Sequence, residues 1–281
     1  MLSRKIGIDL GTSSVRIFVK GEGVVFNEPA ATSADQHSTQ VIQRLIGKAK
    51  GRPRLFRPEV VFSVPSSVTS SQRRAVTEAA ISAGARQVWL IDEPLAAAMG
   101  AGLAIGEHRA CAICVIGAGT TEVAVIARSG MVAAQSIAVG GRALDQAIAR
   151  RLGVSEQQAE DLKIAVGSAI RMDQPLVMSL ETVEVSSNDI AAAVVEPLEA
   201  IVAAIRAVLG ETPESLAVGV RERGIVLSGG GAQLRGLADF IACATGVPAV
   251  VADDPQTSVV RGAGLALENF EVLKRNQTFI R

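Results

Sequence analysis

Short β-branched runs alternate along the chain with longer Ala-rich stretches in which apolar residues recur at helical spacing. Lys5-Ile-Gly-Ile-Asp9 and Val15-Arg-Ile-Phe-Val19 are joined by Leu10-Gly-Thr-Ser-Ser14, which predicts a strand, a tight glycine turn and a returning strand, with a third strand near Val24. A strand at Val60 to Val64 follows, then a helix from Thr69 to Ala83 opened by Ser and Thr caps. Next come a strand at Gln87 to Ile91 and a helix starting in Asp92-Glu-Pro-Leu95, with proline in the first turn where a missing N–H costs nothing.

The opening pattern recurs 106 residues later: Ala112 to Val115, the turn Ile116-Gly-Ala-Gly-Thr-Thr121, a strand at Val123 to Ile126 and another around Met131 to Ile137. This is an internal repeat. Helical patterns then cover Ala143 to Leu152, Glu156 to Ile170 and Ile190 to Leu209. A strand at Gly224 to Leu227 leads into Ser228-Gly-Gly-Gly231, read as the opening of another helix. Two similar halves of alternating strands and helices predict two α/β domains around mixed sheets.

Composition narrows the picture. With 48% apolar residues but only 3% aromatics in 281 residues, the core must be built from Ala, Val, Ile and Leu. The 28 basic and 28 acidic side chains balance, so nothing global attracts a polyanion. Cys111, Cys114 and Cys243 form no disulfide framework, and a reducing cytoplasm is the expected compartment, with no signal peptide in Met1-Leu-Ser-Arg-Lys5. The C-x-x-C of Cys111 and Cys114 lies inside an apolar strand and lacks the further ligands of a zinc site. No stretch reaches the roughly 18 to 20 apolar residues of a membrane span.

The candidate chemistry lies in three glycine turns, each after a strand: Asp9-Leu-Gly-Thr-Ser13, Ile116-Gly-Ala-Gly-Thr-Thr121 and Ser228-Gly-Gly-Gly231. Glycine lets the backbone approach an anion, and successive N–H groups with Ser or Thr hydroxyls form a phosphate cradle. Three such turns, two of them related by the repeat, predict a nucleotide cleft between the halves. Neither G-x-x-x-x-G-K-[ST] nor a G-x-G-x-x-G after the first strand is present, which disfavours P-loop NTPases and dinucleotide dehydrogenases.

Ile6-Gly-Ile-Asp-Leu-Gly-Thr12, Asn27-Glu-Pro29, Ile91-Asp-Glu-Pro-Leu-Ala-Ala-Ala-Met-Gly-Ala-Gly102, Gly117-Ala-Gly-Thr-Thr-Glu-Val-Ala-Val125, Arg223-Gly-Ile-Val-Leu-Ser-Gly-Gly-Gly231 and Ala252-Asp-Asp-Pro255 closely resemble the MreB family of bacterial actins, in order and over nearly the whole chain. The resemblance implies an actin-like ATPase fold of two similar α/β domains, residues 1–105 with 255–281 and residues 106–254, the second with an outer subdomain at about 153–222. It implies ATP and Mg²⁺ as ligands. Asp9, Gly11, Thr12 and Ser13 match the first phosphate loop, with Asp9 holding the metal's shell. Glu93 matches the glutamate that orients the attacking water, a role suited to a carboxylate. Gly117, Gly119 and Thr120 match the second phosphate loop, Glu160 and Lys163 the pair that meets ribose and adenine, and Gly229, Gly230 and Gly231 the adenosine turn.

Two departures bear on activity. The family begins its second phosphate loop with Asp, as the repeat itself does at Asp9, whereas here the position is Val115 and the next loop glycine is Ala118. Valine cannot anchor a metal-bound water, so hydrolysis is expected to be slow or absent. Only 28 residues separate Pro29 from Pro58, where the family carries a whole subdomain, so the outer part of the first domain, residues 30–57, is expected to be reduced.

Residues 44–57 hold six basic side chains and no acid. They match the loop by which the family enters the membrane: Leu55 and Phe56 as the apolar wedge, and Arg52, Arg54 and Arg57, with Arg44, Lys48 and Lys50, as the attraction to anionic lipid. No aromatic platform accompanies the patch, which argues against nucleic acid. The expected function is an ATP-binding cytoskeletal filament at the inner face of the cytoplasmic membrane, acting in cell shape with MreB-type proteins and morphogenetic membrane proteins. The alternative is a non-polymerising regulator that binds ATP and such a partner. A small-molecule kinase would need a catalytic Asp that the Val115 region lacks.

Overall fold

The computed structural model describes residues 4–30, 39–49, 57–107, 109–128, 130–180 and 183–268. By its internal contacts the chain divides into two compact units, residues 1–108 with 126–132 and 256–281, and residues 109–125 with 133–255.

The first unit runs β1 (Lys5–Leu10), β2 (Ser14–Val19), β3 (Gly23–Pro29), α1 (Thr39–Ala49), β4 (Glu59–Val64), α2 (Ser70–Ser82), β5 (Gln87–Asp92) and α3 (Glu93–Gly100). Its sheet has the order β3-β2-β1-β4-β5; β1, β4 and β5 are parallel, while β2 pairs antiparallel with both β1 and β3. β1 and β4 are buried on both faces, as parallel strands covered by helices must be. In β2 buried and half-buried positions alternate.

The helix α1 was not expected. Its Ile42, Leu45 and Ile46, at i, i+3 and i+4, join the core formed by Ile6, Ile8, Ile17 and Phe62. The basic stretch therefore begins on a helix and not on a loop. Arg44 and Lys48 both pair with Glu28 at 2.9 Å, and the Lys48 ammonium stands 4.1 Å from the centre of the Phe26 ring.

The second unit contains β6 (Cys111–Ile116), β7 (Thr121–Ala127) and β8 (Gly130–Ile137) apart from residues 126–132 at their hairpin, then α4 (Gly141–Leu152), α5 (Glu156–Val166), β9 (Val177–Leu180), β10 (Val183–Ser186), α6 (Ser187–Ala193), α7 (Val195–Glu211), α8 (Glu214–Arg223), β11 (Ile225–Ser228), α9 (Leu237–Thr245) and β12 (Ala249–Val251). The sheet order, β12-β11-β6-β7-β8, repeats that of the first unit strand for strand, so the sequence repeat is a structural one. β9 and β10 form a separate two-stranded sheet. Tail helix α10 (Ser258–Ala266) returns to the first unit and crosses α3, with Gly100 and Gly262 at the crossing, where neither helix has room for a side chain.

Several expected boundaries move. The helix expected over 156–170 ends at Val166, capped by Gly167 in an extended conformation. The helix expected over 190–209 is two, α6 and α7, because Pro197 has no N–H to bond the Ala193 carbonyl. Ser228-Gly-Gly-Gly231 opens only a turn of 3₁₀ helix, Gly230–Gln233. Cys111 and Cys114 are buried and free in β6; three residues apart on a strand, they face opposite sides, and burial pushes the Cys114 thiol up to about 12. No helix among the described residues is long and apolar enough to cross a membrane.

Candidate functional site

Asp9 closes β1, Ser63 is its register neighbour on β4, and Asp92 ends β5 opposite Val64. Three polar groups thus stand at the C-terminal ends of three adjacent parallel strands, the edge where open α/β sheets bind ligands. The Ser63 hydroxyl donates to Asp9 Oδ1 at 3.0 Å. Arg16, opposite Asp9 on β2, brings Nη1 to 3.6 Å from the other carboxylate oxygen, too far for a full hydrogen bond. Burial raises the Asp9 carboxyl above its ordinary value, opposed by the Arg16 charge, the Ser63 bond and, last, a weak hydrogen-bonding contribution from Arg16. The Nε of Arg16 is buried without a hydrogen-bond partner.

Above Asp9 the chain turns at Gly11, where a Cβ would lie 2.9 Å from the Ser14 carbonyl oxygen and 3.7 Å from Asp9 Oδ2. Only glycine closes this turn so tightly over the carboxylate, and Thr12 and Ser13 ride on it, Ser13 exposed. Glu93 is the first residue of α3 and half-buried, in the position where a helix dipole favours an acid. Asp92 before it does not cap the helix; it pairs with Arg73.

The second unit repeats the turn. Gly117 N–H donates to the Thr120 carbonyl at 2.8 Å, and a Cβ on Gly117 would lie 3.2 Å from that oxygen, as Gly11 does with Ser14 one repeat earlier. The start of α4 is stitched to this loop: Gly141 N–H donates to Gly117 O at 2.9 Å and Arg142 N–H to Ala118 O at 2.8 Å. A side chain at Gly140 would strike Gly117 O at 2.7 Å, so the Gly140-Gly141 pair belongs to the loop although sequence reasoning passed over it. Its signal was a Gly-Gly at the end of the repeat's third strand.

Val115 is 4% exposed and paired in register with Ser228, the arrangement of Asp9 and Ser63 in the first unit. With no carboxylate to meet, the Ser228 hydroxyl donates to Pro255 O at 3.2 Å. Glu122, 1% exposed on β7, holds the repeat position of Arg16 and was also missed. The 106-residue offset alone would have paired the two.

Lys163 does not pair with Glu160. Its ammonium lies 2.6 Å from Asp145 Oδ1 and 3.4 Å from Gly141 O, which draws it toward α4 and the second turn. Burial raises the Asp145 carboxyl, partly offset by Lys163, while the charges of Glu160 and Glu156 push it further up. In the third turn Gly229 has φ +83°, and a Cβ there would meet Ile116 O; Gly231 packs on the Ile116 side chain; Gly230 alone faces open space.

The first unit thus brings Asp9, Gly11, Thr12 and Ser13 together. The second gathers Gly117, Gly119 and Thr120 near Lys163 and places Gly229, Gly230 and Gly231 against the end of β6. For Mg²⁺ the first unit offers little, since one oxygen of Asp9 already accepts from Ser63 and the other faces a guanidinium; in the second unit Val115 offers no oxygen at the equivalent position. No cluster of three metal-ligating side chains occurs among the described residues. Leu55, Phe56, Arg52 and Arg54, with Lys50, lie outside the described residues, and Arg57 is exposed.

The family model for MreB/Mbl protein matches residues 3–44 and 33–275. Cell shape-determining protein MreB of Escherichia coli (strain K12) is 36% identical over 333 aligned positions, covering 97% of this chain and 95% of that protein. Cell shape-determining protein Mbl of Bacillus subtilis (strain 168) is 32% identical, covering 99% of each. Among solved structures, MreB 5 of Spiroplasma citri bound to AMPPNP superposes with a TM-score of 0.87 at 25% identity, covering 96% of this chain and 98% of that one. The MamK double helical filament shares the fold at a TM-score of 0.77 and 16% identity, covering 95% of this chain and 99% of that one. Because 333 aligned positions exceed this 281-residue chain, the E. coli relative carries residues with no counterpart here. The two matched segments overlap at residues 33–44, within the β3–β4 connection.

Proposed function

From the premise that the chain belongs to the MreB/Mbl family, and so has the actin-like fold, we propose that it binds ATP, assembles with copies of itself and acts at the inner face of the cytoplasmic membrane in cell-shape determination. The observation that carries this reading is the pair of equivalent glycine turns at Gly11 and Gly117, each at the end of a buried first strand and each folded closely against the carbonyl three residues on, at 2.9 and 3.2 Å from an added Cβ. Phosphate binding by backbone N–H groups is what such turns do best. The Spiroplasma citri relative is bound to AMPPNP, a nucleoside triphosphate analogue, and it matches this chain along nearly its whole length.

Each residue then has a task. In the first unit Gly11, Thr12 and Ser13 hold phosphate oxygens, and in the second Gly117, Gly119 and Thr120 form the equivalent phosphate-holding turn. Gly230 gives the nucleoside open backbone while Gly229 and Gly231 fix the turn on Ile116. Lys163 is held at the second turn by Asp145 and Gly141, and Glu160 lies one helical turn before it. Glu93 orients a water, using a carboxylate fixed at a helix start. Turnover is slow, because Val115 removes the second acid that would organise the attacking water. Leu55, Phe56, Arg52, Arg54 and Arg57 attach the protein to anionic lipid, without Arg44 and Lys48, which Glu28 engages. Partners are other MreB-type proteins and morphogenetic membrane proteins, not nucleic acid.

A second reading has its own observation. The family model matches in two segments that overlap at residues 33–44, and the only described element between β3 and β4 is α1, which supports the reading that the outer part of the first unit is reduced. A chain lacking that surface would act as a non-polymerising regulator of a full-length relative. Sedimentation of the purified protein with ATP, with ADP and without nucleotide separates the two. ATP-dependent pelleting supports the filament; ATP binding without pelleting supports the regulator.

A further inference from the structure

The geometry points to Arg16 as a nucleotide-binding residue: its guanidinium supplies at the first glycine turn the positive charge a metal ion would otherwise bring, so that ATP binds here without Mg²⁺. The inference rests on the reading of that turn as a phosphate loop. Arg16 is opposite Asp9 in the β1–β2 register, so both side chains leave the same face of the sheet, and the Asp9 carboxylate lies directly beneath Gly11. Its side chain is 15% exposed, its Nε is buried with no hydrogen bond, and its approach to Asp9 is 3.6 Å.

A guanidinium carries five N–H donors in a planar fork that fits phosphate oxygens two at a time. Arg16 therefore has donors to give, in a place already sheltered from water. Asp9 holds it there mainly by charge, with Nη1 3.6 Å from Oδ2, while Ser63 donates to Oδ1.

The repeat serves as an internal control. If the fold itself required a cation at this strand position, the second unit would carry one; it carries Glu122, and Val115 stands in the place of Asp9. The arginine thus belongs to the function of the first turn and not to the architecture both units share. A divalent ion beside Asp9 would also sit against the guanidinium, two cations on one carboxylate in a poorly screened site. Terminal phosphates carry the charge that suits Arg16 instead.

Calorimetric titration with ATP of wild type, Arg16→Lys and Arg16→Leu, each in excess Mg²⁺ and in EDTA, decides it. Wild type is expected to bind with the same affinity in both buffers, within about threefold, and Arg16→Leu to lose about tenfold or more in EDTA. Mg²⁺ should restore part of the Arg16→Leu loss, and Arg16→Lys should stay metal-independent with weaker binding. Wild-type affinity collapsing in EDTA, or Arg16→Leu binding in EDTA as wild type does, overturns the proposal. Wild type binding ATP in neither buffer overturns the phosphate-loop reading on which it stands. Should Arg16→Leu fail to fold, the comparison of wild type and Arg16→Lys in EDTA still decides.

Discussion

Replacing Gly262 by Ala should destabilise the protein, although the same change inside a helix ordinarily stabilises by about 1 kcal/mol. The sign is set by the crossing of α3 and α10. A Cβ on Gly262 would lie 1.7 Å from Ala96 O and 2.9 Å from Gly100 N, and one on Gly100 would lie 1.8 Å from Ser258 O. Since a carbon–oxygen contact needs about 3.3 Å, the helices must part by roughly 1.5 Å. Parting them loosens buried Ala96, Ala97, Val259, Val260 and Ala263, which are packed at native density. Overpacking costs about 1–3 kcal/mol, and a shift this large belongs at the top of that range; after the helix gain of about 1 kcal/mol the net loss is about 2 kcal/mol and the melting temperature of the first unit falls by roughly 5 °C. Gly47→Ala is the control, because a Cβ in α1 there meets nothing within 4 Å; it should raise the melting temperature slightly. Thermal melts followed by circular dichroism read both. Gly262→Ala melting at or above wild type would refute the reasoning. The crossing also bears on the site, since α3 begins with Glu93 and any tilt of the helix moves that carboxylate.

Val115→Asp places a carboxylate beside Ser228 as Asp9 stands beside Ser63; it should lose the roughly 1.5–3 kcal/mol of a buried valine and yet increase Mg²⁺-dependent phosphate release, whereas brisk hydrolysis by wild type would contradict the role given to Val115. Asp145 titrates above its ordinary value of 3.8 in the folded chain because burial outweighs Lys163. The folded state therefore keeps the proton over an interval in which the unfolded chain has lost it. Wild-type stability relative to Asp145→Asn should accordingly decline as pH rises from 3.8 through the folded value, and urea midpoints that move together across that range would count against it. Leu55→Ser with Phe56→Ser should abolish flotation with anionic liposomes while ATP titrations stay unchanged; undiminished flotation would remove the wedge.

Much of this was legible in the residues because the repeat writes the same physics twice. A β-branched strand, a glycine and a hydroxyl at a fixed offset gave both turns, and the structure closes both with the same carbonyl. What escaped was carried by tertiary context. α1 stayed hidden because Arg44 and Lys48 made residues 44–57 look like a solvated loop, while the apolar spacing of Ile42, Leu45 and Ile46 pointed to a helix. Gly140 and Gly141 looked like a strand end until their backbone met Gly117 and Ala118. The direction of Lys163 was unreadable, since Asp145 lies on another helix, and the partner of Arg16 emerges only from the β1–β2 register.

The central claim, an ATP-binding family member that assembles on a membrane, is tested most directly by electron microscopy of the purified protein on anionic liposomes, with ATP and without it. Filaments on the liposome surface that require ATP are the predicted result. Protein that neither binds the liposomes nor polymerises in ATP would contradict it.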